Sequence, residues 1–308
     1  MATSTFSSLK KMLVERRSFT FAEPPEGMQL DCGVRFGPIT LAYETLGELN
    51  EKRSNAVLIL HAFSGDSHVA GYLNEGDKQP GWWDSMVGPG KAIDTNKYFV
   101  ICSNILGSCA GSTGPSSIHP ETGKSYALSF PMVTIADMVR AQKHLIDHLG
   151  IKKLLALIGG SVGGMQVLQW CVDYPEMMQA AIPLATTSRH SAQAIAFNEV
   201  ARQSIMADPS WQQGEYYSAS GPVHGLSDEA MREKFGRRLH SSSLSFNFGG
   251  DFQVESYLHH QGKKFVDRFD ANSLLYITKA ADYFDLERES GNLLINPVLA
   301  HVSFLVIS

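Results

Sequence analysis

The chain has 308 residues, 44% of them hydrophobic, enough to bury one large α/β core or two smaller ones. Its formal net charge of -5 gives no overall basic field that would draw in phosphate backbones or anionic lipid, which argues against nucleic acid and membrane surfaces as partners. Cys32, Cys102, Cys109 and Cys171 form no CxxC pair, and no Cys/His spacing suits zinc, so neither a disulfide framework nor a metal site is expected and a reducing cytoplasm fits best.

The opening stretch, MATSTFSSLKKMLVERR, is rich in Ser, Lys and Arg, faintly like a transit peptide, and reads as a frayed basic terminus. No hydrophobic signal core accompanies it, and apolar runs such as residues 57–60 are far too short to span a bilayer, so a soluble protein is expected. Apolar, β-branched runs at residues 39–45, 56–61, 98–102, 153–158, 180–185 and 302–307 predict strands. Between the third and fourth, Ile135, Met138, Val139, Leu145, Ile146 and Leu149 keep a helical period, with Thr134 and Asp137 placed as a capping box. Strands alternating with helices imply a mostly parallel sheet with helices on both faces. From about residue 187 to 291 helix-like and polar segments replace the strand signal: SAQAIAFNEVARQSIM, SDEAMREKFGRRL and SLLYITKAADYFDL. The expected organisation is a core over residues 1–186, a helical cap over 187–291, and a returning core strand within 292–308.

The stretch LLALIGGSVGGMQVLQW breaks an apolar strand on glycines around one serine and resumes as a helix. Gly159-Gly160-Ser161-Val162-Gly163 fits the nucleophile elbow, where a strand reverses directly into a helix and lifts one side chain above the sheet. Crowding at such a corner calls for residues without Cβ on either side, and the apex residue takes a strained conformation. There the helix N-terminus and the amide of Val162 face developing negative charge. The alternatives are a phosphate-cradling glycine turn or a merely tight strand-helix junction, neither accompanied by a GK[ST] or GxGxxG pattern. A second feature, VLILHAFSGDSH, ends a buried strand in a polar, glycine-containing loop, which in this fold supplies the other oxyanion donor, here the N–H of Phe63. His61 stands where a base would be tempting, but a histidine closing a strand is more often structural, and it precedes the serine.

These residues resemble the homoserine O-acetyltransferases of the α/β-hydrolase fold, which make an activated homoserine for methionine synthesis. The resemblance runs through LAYETLGELN, HAFSGDSHVAG, GWWDSMVGPGKAIDTNKYFVICSNILG, GGSVGGMQVLQW, SAQAIAFNEVARQSIMADPSWQQGEYY, FQVESYLHHQGKKFVDRFDANSLLYITKAADYFDL and FLVIS. It implies acetyl-CoA as donor, L-homoserine as acceptor, no metal or bound prosthetic group, and a cap that also forms a homodimer. Residue by residue, it implies Ser161 as nucleophile, the Phe63 and Val162 amides as oxyanion hole, and Arg202 as the arginine that binds homoserine. Judged without the family, Arg202 is an ordinary solvated helix charge. Tyr217 lines the same pocket or simply packs, and Trp82 and Trp83 are expected to pack against the sheet.

Two departures from the family pattern follow. The family's triad acid lies just beyond the strand matching FLVIS and its histidine further on, whereas this sequence stops at Ser308, so acetyl transfer near background and an exposed sheet edge are expected of these residues as they stand. His301 opens that strand, roughly 20 Å from the edge where Ser161 emerges. His190, His224, His240, His259 and His260 fall in the cap without triad spacing, and Asp282 and Asp285 read as solvated or structural helix residues. The cap also passes straight from Gly225-Leu226 to Ser227, without the family's extra helical stretch. Readings that remain open are a succinyl donor, a serine acceptor, an esterase, and a catalytically inert product.

Overall fold

The computed structural model describes residues 11–218, 268–290 and 303–306. Five of the apolar runs form strands within two residues of the expected ends: β2 (Ile39–Leu46), β3 (Ala56–Leu60), β4 (Phe99–Ser103), β5 (Leu154–Gly160) and β6 (Met178–Leu184). The run at 302–307 is represented by β7 (Ser303–Phe304), and an additional strand, β1 (Arg16–Phe21), precedes them all. Together they build a seven-stranded sheet in the order β1-β2-β4-β3-β5-β6-β7. Pairing is parallel from β4 through β3, β5 and β6 to β7, and antiparallel where β1 meets β2 and β2 meets β4.

From residue 11 onward β1 corrects the reading of the N-terminal stretch as frayed; residues 1–10 lie outside the described residues. Arg16 pairs with Glu44 and Phe21 with Ile39, and the chain just before is tied down by hydrogen bonds between Val14 and Tyr72 and between Tyr72 and Met12. The inward alternation of this outermost strand is confined to Phe19 and Phe21 and follows directly on the exposed basic pair Arg16-Arg17, so the stretch reads as a basic tail.

Side chains alternate across the sheet into two apolar layers. Leu58, Leu60, Ile101 and Leu157 join one core with α1 (Ile135–His148) and α2 (Val162–Asp173), which pack against each other. Val57, Ile59, Val100, Cys102 and Ile158 face the other way, onto Val69, Ala70, Val87, Ile93 and Trp83 of the long β3–β4 connection. Among the described residues that second face carries loops and short bridges rather than a helix. The capping box at α1 forms as expected: the Asp137 N–H donates to the Thr134 hydroxyl, and the Asp137 carboxylate accepts from the Thr134 N–H.

Two of the three segments read as helix-like between residues 187 and 291 are helical. One is α3 (Ala192–Met206), N-capped by Ser191; the other spans α4 (Ala271–Tyr283) and the start of α5 (Leu286–Ser290). α4 is buried along most of its length and anchored to the core by the Tyr276 hydroxyl, which donates to the Phe130 carbonyl at 2.6 Å. The segment SDEAMREKFGRRL, the Gly225-Ser227 junction, His224, His240, His259, His260 and His301 lie outside the described residues.

Candidate active site

Ser161 stands at the apex between β5 and α2, exposed, with φ 55° and ψ -121°. A positive φ is uncommon for a residue with a side chain and costs on the order of 1–3 kcal/mol. Its surroundings hold it there. The Ser161 N–H donates to the Leu184 carbonyl of β6 at 3.0 Å, while its own carbonyl accepts from Met165 N–H at 3.0 Å and the Thr186 hydroxyl at 2.8 Å. The serine side chain makes no capping hydrogen bond to α2.

The glycines around it have unequal duties. A Cβ on Gly163 would lie 2.1 Å from the Leu60 carbonyl, one on Gly159 2.4 Å from the Gly163 carbonyl, and one on Gly164 2.6 Å from Thr186. Gly160, immediately before the serine, has its nearest such neighbour 3.8 Å away. The expectation that both flanks need a missing Cβ therefore narrows to Gly159, Gly163 and Gly164.

The second limb of the site follows from strand register. β3 and β5 are parallel neighbours with Leu60 opposite Gly159, so Phe63 and Val162 each stand three residues past paired strand positions, at the same edge of the sheet. Phe63 lies inside a turn closed by Gly65 N–H to the Ala62 carbonyl at 2.8 Å. Its ring meets that of Phe269, centroids 5.3 Å apart, which joins the loop to the start of α4. Val162 opens α2, where the first N–H groups lack partners within the helix and the helix end carries partial positive charge.

His61 braces this loop. It is fully buried, Nδ1 donating to the Ala62 carbonyl at 2.8 Å and Nε2 accepting the Ile105 N–H at 3.1 Å, and burial lowers its pKa below the ordinary histidine value. With both nitrogens engaged in this way, it serves structure rather than proton transfer. Behind the loop, the buried Glu44 carboxylate accepts from Arg16 Nε at 3.0 Å and pairs with His68 Nδ1 at 2.8 Å, a bond that raises the His68 pKa. Trp82 stacks on Trp83, centroids 5.6 Å apart, and donates to the Asp66 carbonyl at 3.0 Å; Trp83 packs into the second core while Trp82 is 42% exposed.

Arg202 is not the solvated helix charge that its sequence position alone suggests. Only 7% of its side chain is exposed. Nη1 lies 2.7 Å from Asp282 Oδ2, off the axis of its N–H bonds and so a charge contact rather than an aligned hydrogen bond, and Nη1 donates to Thr278 Oγ1 at 3.2 Å. Nε and Nη2 reach the same Glu199 oxygen at 3.0 and 2.9 Å. Asp282 is likewise buried rather than solvated: its other oxygen accepts from Asn198 Nδ2 at 2.7 Å and meets His190 Nδ1 at 3.1 Å. Asp285, by contrast, caps α5 through the Arg288 N–H at 3.1 Å, a structural role. Tyr217 donates to Asp270 at 3.0 Å and accepts from Asn272 at 3.2 Å, beside Tyr216. Glu44 and Asp282 were missed as organising groups. The available signal for Asp282 was its position four residues after Thr278, extending the buried face of α4.

Among the described residues no histidine hydrogen-bonds the Ser161 hydroxyl, no group of three or more His, Cys, Asp or Glu could hold a metal ion, and no helix is long and apolar enough to cross a membrane. The family model for the alpha/beta hydrolase fold matches residues 55–282. Homoserine O-acetyltransferase of Solidesulfovibrio magneticus is 61% identical over 292 residues, covering 90% of this chain and 74% of that relative. The chain belongs to the homoserine O-acetyltransferase family. Among solved structures, the homoserine O-acetyltransferase from Bacillus anthracis matches with a TM-score of 0.83 at 33% identity, over 96% of this chain and 82% of that one. Esterase E22 matches with a TM-score of 0.81 at 29% identity, over 96% and 93%. The homoserine O-acetyltransferase architecture thus coincides with that of an ester hydrolase across almost the whole of this chain.

Proposed function

We propose that this protein transfers the acetyl group of acetyl-CoA to the side-chain hydroxyl of L-homoserine through an acetyl-Ser161 intermediate, in methionine biosynthesis and in the cytoplasm. The observation that carries the reading is the exposed, strained Ser161 at the N-terminus of α2 in a chain of this family. Ser161 Oγ attacks the thioester carbonyl, giving up its proton. The tetrahedral oxyanion accepts hydrogen bonds from the Phe63 and Val162 amides; the C–S bond then breaks, and CoA leaves with a proton. Donors of this kind are worth roughly 10²- to 10³-fold each in rate. The homoserine hydroxyl next attacks the acetyl ester, loses its proton, and frees Ser161, a ping-pong order.

Transfer outruns hydrolysis only if a bound alcohol is held at attacking distance while water is kept from the ester. Arg202 is assigned to the acceptor's α-carboxylate, with Tyr217 lining the same pocket, and the cap is assigned to a homodimer interface. Hydrolysis is the competing reading, favoured by the likeness to esterase E22. Intact-mass measurement separates them. With acetyl-CoA the chain should gain one acetyl group, absent in Ser161→Ala, and homoserine should discharge it faster than water does. An adduct that decays equally fast without homoserine would make the protein an esterase, and one that persists in Ser161→Ala would remove the nucleophile.

A further inference from the structure

The Arg202 guanidinium carries two carboxylates in unlike settings. Asp282 is enclosed, with 5% of its side chain exposed, and both its oxygens are engaged, by Asn198 and His190 on one side and by Arg202 on the other. Glu199 is 48% exposed and sits three residues before Arg202 on α3. Its Oε2 alone spans the Nε and Nη2 donors, while its Oε1 accepts from Gln203 at 2.6 Å. That two-donor edge matches a carboxylate that brings two oxygens, one per N–H, better than it matches one shared oxygen. An exposed pair of this kind is weak, whereas a buried pair cannot be opened without stranding a charge.

We infer that the two carboxylates act on acceptor binding in opposite directions: Asp282 is the positioning residue that fixes the guanidinium, and Glu199 is a placeholder that the amino acid's α-carboxylate displaces. The inference rests on the proposed acceptor role of Arg202. Displacement breaks no covalent bond and keeps the number of anions on the guanidinium constant. Glu199 swings outward while its other oxygen keeps Gln203. The cluster also lies at the right end of the sheet. Thr186 bonds the Ser161 carbonyl, and His190 of the Asp282 cluster follows it by four residues, a reach of at most about 14 Å.

The experiment measures L-homoserine binding by calorimetry, and KM for homoserine against kcat, in four variants. Arg202→Gln should abolish detectable binding. Glu199→Gln should tighten it about two- to fivefold, and Asp282→Asn should weaken it tenfold or more, both seen in KM rather than kcat. Should Asp282→Asn fail to fold, Asn198→Ala, which removes the 2.7 Å support of Asp282 and a longer 3.4 Å contact with His190, should still weaken binding severalfold. If Glu199→Gln leaves affinity unchanged or lowers it while Arg202→Gln abolishes binding, the placeholder idea is wrong and the acceptor role of Arg202 survives. Binding that persists in Arg202→Gln would instead overturn the acceptor role and the inference together.

Discussion

The corner at Ser161 and the charged cluster at Arg202 are built on opposite principles. At the corner, main chain meets main chain: Gly163 lies against the Leu60 carbonyl, Gly159 against Gly163, and the serine is pinned by backbone hydrogen bonds from two neighbouring elements. At Arg202, side chains from the 187–191 segment, α3 and α4 meet around one guanidinium, and among the described residues its partners are side chains. The first arrangement has one shape and no slack, as suits a hydroxyl that must meet a carbonyl carbon. The second holds one ion pair firmly and another loosely, as suits a site that must admit a charged molecule and release it.

Changes that test this contrast differ widely in size. Ser161→Ala should abolish the acetyl adduct and leave acetyl transfer at background without loss of stability in urea, because it removes the nucleophile and leaves the packing intact. Gly163→Ala should cost about 3 kcal/mol in the same unfolding measurement, since the added methyl meets a carbonyl held by the sheet. A cost under about 0.5 kcal/mol would show the corner to be adaptable. Asp282→Asn should cost about 3 kcal/mol and Glu199→Gln far less; equal losses would erase the distinction between the two carboxylates.

Proton linkage offers a finer probe. Since burial lowers the His61 pKa, its contribution is intact above the ordinary value of 6.5 and is lost as pH falls below it, where the unfolded chain takes up the proton first. His68 has the opposite sign. Its raised pKa makes the Glu44 pair stabilising below 6.5, a contribution lost as pH climbs past the raised value. His68→Gln should therefore show its largest deficit near pH 5 and a shrinking one toward about pH 8. A deficit that grows with pH would mean that the pair is not ionic. Smallest of all, Gly160→Ala should shift stability by no more than about 0.5 kcal/mol, because nothing stands within 3.8 Å of the added atom.

The division also explains what the amino-acid order could disclose. Buried parallel strands announce themselves as continuous apolar runs, and the corner is compressed into five consecutive residues, so β2 to β6, Ser161, Val162 and the Phe63 loop were all readable. β1 was not, because its inward alternation amounts to Phe19 and Phe21 alone and is masked by the basic residues just before it. The cluster was not, because Asp282 meets Asn198 and His190 across 84 and 92 residues, and no local rule couples such distant positions. Arg202 was picked out only through the family resemblance, and its burial and its paired counter-ions had no local signature.

The hydrogen bond from Ser161 to Leu184 has a consequence for how the molecule comes into being. Strand β5 pairs with β3, about a hundred residues earlier, and the serine corner then needs β6, which is synthesised after it. Closing the long β3–β5 loop is slow, whereas the Ser161–Leu184 lock is local and waits only on the arrival of β6. A nascent chain that has not yet released residue 184 from the ribosome holds the serine in its sequence but has no Leu184 carbonyl to lock the turn. The reactive group is armed by the strand that follows it in the chain.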